Sequence, residues 1–168
     1  PVLRGHAAYW MRKGFAVVAP VRPGYGATGG EDIENSGMLI SKSGLCGGTP
    51  NYGKAVKNAA DVVSGVVAWT RLQPWADRGH IILAGQSVGG LTSVAAGARA
   101  LPGVVAYINF SGGQGGNPER RPGTSCYPEA LTEIFAGYGK TTRLPNLWLY
   151  ASNDRYWGHD QPKLWHEA

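Results

Sequence analysis

The chain has 168 residues, 43% of them hydrophobic, with six Trp, eight Tyr and three Phe, which is apolar mass for one globular core and too much for intrinsic disorder. The formal net charge of +5 is scattered, and its densest point, Arg120-Arg121, carries no interleaved aromatics; a solvated basic surface is expected rather than a nucleic-acid stripe. No apolar run approaches the roughly 20 residues of a membrane span.

Residues 6–13 read as the end of a helix closed by Gly14, the residue type that accepts a left-handed cap. Phe15-Ala16-Val17-Val18-Ala19 is a continuous apolar run stopped by Pro20, as in a strand buried on both faces. Residues 20–53 hold nine Gly and three Pro without a sustained period, so a long loop is expected, and long loops inside compact domains usually serve function. From Lys54 to Gln73 the apolar positions Val56, Ala59, Ala60, Val63, Val66, Val67 and Thr70 follow helical spacing until Pro74.

His80 to Ala84 reads as a short strand, Val88 to Leu101 as a helix of small residues, and Val104 to Phe110 as another strand. A Gly-rich loop over 111–128 follows, then a helix over 129–138, a strand from Asn146 to Ala151 and the start of a further helix. Helices alternating with strands predict an α/β fold: one domain over 1–168, with a mostly parallel sheet and helices on both faces. No Met opens the chain and Glu167-Ala168 fall inside the last helix; a domain incomplete at both termini is the expectation.

Gly85-Gln86-Ser87-Val88-Gly89 matches G-x-S-x-G in the context that the motif demands, with a buried strand running in and a small-residue helix running out. A serine on so sharp a turn has strained backbone, and its neighbours two positions away are expected to be Gly to avoid clashes. Its hydroxyl then projects over the C-terminal edge of the sheet, where open α/β sheets bind ligands. The Val88 N–H, at the start of the helix, can donate to an oxyanion. The bland alternative is a tight turn with an incidental Ser.

A serine hydroxyl needs a base, and in such folds the partners follow in the order Ser, acid, His. Asp154, a short turn after Leu147-Trp148-Leu149-Tyr150, is the expected acid; its alternative is a turn or helix-cap Asp, and Asp160 is the fallback. Of the histidines, His6 and His80 precede the serine, while His159 and His166 lie within about a dozen residues of the acid. A catalytic His beyond Ala168 is therefore expected.

Three further patterns fail on context. Gly24-Tyr25-Gly26-Ala27-Thr28-Gly29 resembles a dinucleotide fingerprint but opens no helix. Gly139-Lys140-Thr141 resembles the end of a phosphate-binding loop but has Ile134 where a Gly belongs. Gly112-Gly113-Gln114-Gly115-Gly116 carries neither signature and reads as a flexible wall of the active site. No cofactor or metal is implied.

The two cysteines, Cys46 and Cys126, sit in loops that leave the same strand edge as Ser87. A bridge between them is one expectation and two free thiols the other; the bridge implies a periplasmic or secreted protein, free thiols a cytoplasmic one.

The segments Gly14 to Pro20, Arg22 to Gly30, Gly85 to Gly90 and Leu149 to Asp154 together resemble α/β-hydrolases, in particular the dienelactone hydrolase-like branch with its esterases and peptidase-like members. The resemblance covers nearly the whole chain. It implies Ser87 as nucleophile, Asp154 as acid, no cofactor and a small acyl compound as substrate. Dienelactone hydrolases themselves carry Cys where this chain has Ser87, which argues against dienelactone as the substrate. The His-Gly loop that supplies the family's second oxyanion donor would precede residue 1. The function so implied is ester hydrolysis through an acyl-enzyme, with a peptidase, an acyltransferase or a non-catalytic binding module on the same fold as alternatives.

Overall fold

The computed structural model describes residues 2–168. Helix α1 (Val2–Arg12) closes where Gly14 takes φ +89°, a conformation that costs a side-chain-bearing residue energy and Gly little. The apolar run Phe15–Ala19 is not the predicted strand. It lies outside any ladder, and Phe15, Val17 and Val18 are exposed. A strand exists only through its partner's hydrogen bonds, and this run has none alongside it in register.

The long loop over 20–53 contains a single turn of 3-10 helix at Gly26–Thr28 and a small antiparallel pair, β1 (Leu39–Ile40) with β2 (Cys46–Gly47). Helix α2 (Tyr52–Arg71) starts at Asn51, whose side chain accepts the Lys54 N–H at 2.8 Å. Such a cap satisfies one of the four N–H groups that a helix start leaves unpaired. One face of α2 buries Tyr52, Ala55, Val56, Ala59, Ala60 and Val67.

Three strands form the main sheet: β3 (Ile81–Gln86), β4 (Val104–Phe110) and β7 (Asn146–Leu149). Their order is β3-β4-β7, all parallel. Register aligns Gln86 with Phe110 and Phe110 with Leu149, so the three C-terminal ends are level. Between β4 and β7, the loop holds a second antiparallel pair, β5 (Gly116–Asn117) with β6 (Arg121–Ser125), followed by α4 (Pro128–Gly139). Helix α5 (Gln161–Glu167) ends the chain.

Helix α3 (Val88–Gly97) lies on the sheet and is buried from Gly90 to Gly97. Contact is close enough that a Cβ at Gly97 would stand 2.4 Å from the Tyr107 ring. Helices α2 and α4 pack on α3, and below β7 the rings of Phe135, Trp148, Trp157 and Trp165 form an aromatic core with neighbouring centroids 5.0–5.8 Å apart.

The fold is thus a mixed α/β one with a parallel sheet; α3, with α2 and α4 packed on it, covers one face, and the other is covered only in part. On the opposite face Ile82, Leu147 and Leu149 are 38%, 50% and 43% exposed. There α1 meets the sheet where His6 sets its ring edge-on to Phe110. The outer edge of β3 borders clefts of about 500 and 440 Å³, shared with the unpaired Phe15–Pro20 segment.

Candidate active site

Ser87 stands between β3 and α3 with φ 56° and ψ −122°, a region that non-Gly residues avoid and that costs about 1–3 kcal/mol. That backbone is held from several directions. The Ser87 N–H donates to the Phe110 carbonyl at 3.0 Å, and the Ser87 carbonyl accepts from Gly90, Leu91 and Gly113 at 2.9, 3.2 and 3.1 Å. The residue is exposed, at the level C-terminal ends of the strands. The Val88 N–H finds no acceptor among the described residues, which leaves a donor at the positive end of α3.

The glycines around it play different parts from those expected. A Cβ at Gly85 would sit 2.0 Å from the Gly89 carbonyl oxygen, so Gly85 is required. A Cβ at Gly89 would meet nothing within 4 Å beyond its own helix, which corrects the expectation that both flanking glycines avoid clashes. The second tight position is Gly90, where a Cβ would come 2.4 Å from Asn109 Oδ1 and 2.7 Å from Gly112 Cα.

Asp154 follows β7 on the same edge of the sheet as Ser87. Its Oδ1 accepts from the backbone N–H groups of Tyr156 at 2.7 Å and Trp157 at 3.2 Å, so the turn-forming role is real. Its Oδ2 has no partner among the described residues, leaving one oxygen for a further donor. Asp160 is engaged elsewhere, with His159 Nδ1 at 2.6 Å and Lys163 Nζ at 3.4 Å; the His159 bond, then Lys163, holds its carboxyl below the usual range.

The histidines do not complete a triad among the described residues. His80 pairs with Asp77 at 2.9 Å, His159 with Asp160, and His166 sets its edge against Trp148 at 5.2 Å. His6 reaches Phe110, whose carbonyl takes the Ser87 N–H, but forms no hydrogen bond to Ser87 or Asp154.

The segment Gly112–Gly116, read from sequence as a flexible wall, is instead buried and pinned. Gly112, Gly113, Gln114 and Gly115 are all buried. Gln114 Nε2 donates to the Glu34 carbonyl at 2.7 Å, tying the wall to the long loop over 20–53. Glu34 is itself buried and ion-paired with Arg22; burial pushes its carboxyl up, against the lowering pull of the Arg22 charge. The Arg22 guanidinium lies over the Tyr25 ring, 4.7 Å from its centroid.

Cys46 and Cys126 form a disulfide with Cα atoms 5.7 Å apart, which settles the open choice in favour of the bridge. The same clasp brings Gly44 against Arg120, where a Cβ would lie 2.1 Å from the Arg120 carbonyl oxygen.

Sequence reading missed Asn109, Tyr150 and Trp157, the polar and aromatic side chains that hold this edge together. Tyr150 Oη donates to the Gly112 carbonyl at 2.7 Å and accepts from Asn109 Nδ2 at 3.0 Å, while Trp157 Nε1 donates to the Ser111 carbonyl at 2.8 Å. An Asn inside an apolar strand was the one local signal, because a buried amide needs partners. No family model, curated protein or solved structure matches the chain. No described helix is long and apolar enough to cross a membrane.

Proposed function

We propose that the chain is the nucleophile-bearing core of an α/β-hydrolase that cleaves an ester or related acyl compound through an acyl-enzyme on Ser87. The observation that carries this reading is the backbone of Ser87, φ 56° and ψ −122°, at the turn from the parallel edge strand β3 into the buried helix α3. At such a turn a nucleophile gains an exposed hydroxyl beside the free Val88 N–H.

In the reaction, Ser87 Oγ attacks the acyl carbonyl carbon as a base takes its proton. The tetrahedral oxyanion then lies at the α3 N-terminus, where the Val88 N–H donates to it. Collapse expels the alcohol and leaves the acyl group on Oγ, and water attacks the ester by the same route. Asp154, with Oδ2 free, orients the base and stabilises its charged form. The base is a histidine other than the four whose partners are described above. A peptidase or an acyltransferase differs only in leaving group and acceptor. The Cys46–Cys126 bridge is compatible with an extracellular setting, and a periplasmic or secreted protein fits this reading.

A fluorophosphonate probe tests the proposal on the full-length protein. Covalent labelling that maps to Ser87, and is lost in Ser87→Ala together with at least a thousandfold of the ester hydrolysis, is the expected result. A folded protein that takes no label would sink the hydrolase reading and favour the non-catalytic binding module.

A further inference from the structure

We infer that Trp157 and Tyr150 are positioning residues for Ser87, acting through the Ser111–Gly113 loop; the inference rests on Ser87 being the nucleophile. Three of the four hydrogen bonds to the Ser87 backbone come from β4 and α3, elements that any strand-to-helix crossing has beside it. The fourth, from the Gly113 N–H, comes from a separate loop. That loop is not self-supporting, because Ser111 itself sits at φ 45°, where a side-chain-bearing residue needs outside restraint.

The restraint comes from the acid's side of the site. Trp157 Nε1 donates to the Ser111 carbonyl at 2.8 Å, and Tyr150 Oη donates to the Gly112 carbonyl at 2.7 Å. Asn109 Nδ2 fixes that hydroxyl from the other side at 3.0 Å. The Trp157 ring fills the floor beneath the loop, where a Cβ at Gly113 or Gly116 would come within 2.9 or 2.6 Å of it. The same residue's backbone N–H donates to Asp154 Oδ1. One residue therefore touches the acid's carboxylate and the loop that holds the nucleophile's carbonyl, and so sets the spacing between them.

Packing alone does not account for this indole. Trp148 and Trp165 lie in the same aromatic core, and their Nε1 atoms are buried with no hydrogen-bond partner among the described residues. Of the three indoles, only that of Trp157 aims its N–H at a backbone carbonyl of the site. Trp165 is thus the natural control, equally buried and without a bond to the loop.

The test compares Trp157→Phe, Tyr150→Phe and Trp165→Phe in the full-length protein, well below each variant's melting temperature, by steady-state ester hydrolysis and the rate of fluorophosphonate labelling. Positioning predicts a 10- to 100-fold fall in kcat and in labelling rate for Trp157→Phe, with KM within about twofold. Tyr150→Phe, which removes a single oxygen, should follow in direction and carries the test if Trp157→Phe does not fold. Trp165→Phe should lose thermal stability yet keep kcat. A wild-type kcat in folded Tyr150→Phe and Trp157→Phe overturns the inference while Ser87 remains the nucleophile, as does an equal loss in Trp165→Phe. If the wild-type protein takes no label at Ser87, both readings fall together.

Discussion

Asp154 shows how one side chain can hold a turn and still leave an oxygen for chemistry. Its Oδ1 is committed to two backbone N–H groups, and an amide oxygen can accept both as a carboxylate does. Asp154→Asn therefore keeps the turn, while losing the charge that would orient a base and stabilise its protonated form. The expected outcome is a fall in kcat of about a hundred- to ten-thousandfold, with a melting temperature close to wild type. Activity within tenfold of wild type would remove Asp154 from the proposed triad. A large drop in melting temperature would instead show that the turn depends on the charge.

At the level of elements, Gly89 and Gly90 are adjacent in α3 and predict opposite responses to a methyl group. Gly to Ala in a helix interior ordinarily gains about 0.5–1 kcal/mol. At Gly89, with nothing within 4 Å outside the helix, that gain should survive. At Gly90, the Cβ meets Asn109 Oδ1 and the backbone of Gly112, and overpacking costs about 1–3 kcal/mol, so the clash wins. Urea midpoints should rise or hold for Gly89→Ala and fall for Gly90→Ala; a fall in both would mean that α3 is tighter than its contacts show. Sequence made this motif visible because its strand, turn and helix are local in the chain. Helices α2, α3 and α4 and strands β3, β4 and β7 were legible for the same reason, each within a few residues at its ends, from periodicity and from Pro and Gly stops. Phe15–Ala19 misled because an apolar run shows that a segment is fit to pair but not whether a partner is there. The β1–β2 and β5–β6 pairs were hidden because two- to five-residue strands among glycines leave no alternation to read. The Trp157–Ser111 and Tyr150–Gly112 bonds were equally hidden, since their partners lie 46 and 38 residues apart.

Across the whole molecule, the disulfide joins β2 to the short link between β6 and α4 across 80 residues. A link of that span restricts the unfolded chain by about 4 kcal/mol on the entropy model. Replacing both Cys46 and Cys126 by Ser should lower the urea midpoint accordingly, and an unchanged midpoint would mean that the loops hold each other without the bridge. The bridge is also tied inward, for the buried Tyr52 hydroxyl donates to the Cys126 carbonyl at 2.9 Å. Burial, with the Tyr127 phenol adding to it, pushes the Tyr52 phenol up to about 12, and burial likewise raises Tyr107, Tyr138 and Tyr150. A phenol is neutral when protonated, so a raised value means that the folded chain keeps protons that the unfolded chain has already released. Above the ordinary phenol value near 10 the unfolded state therefore binds fewer protons, and stability falls as pH rises. For Tyr52 the loss runs from about pH 10 to about 12, and below pH 9 it is absent. Melting temperatures at constant ionic strength should be flat from pH 8 to 9 and decline steadily beyond 10. Tyr52→Phe should start lower, because the Cys126 carbonyl loses its donor at a cost of about 0.5–1.5 kcal/mol, but decline less steeply. A Tyr52→Phe slope as steep as wild type would place the alkaline sensitivity on the other buried phenols.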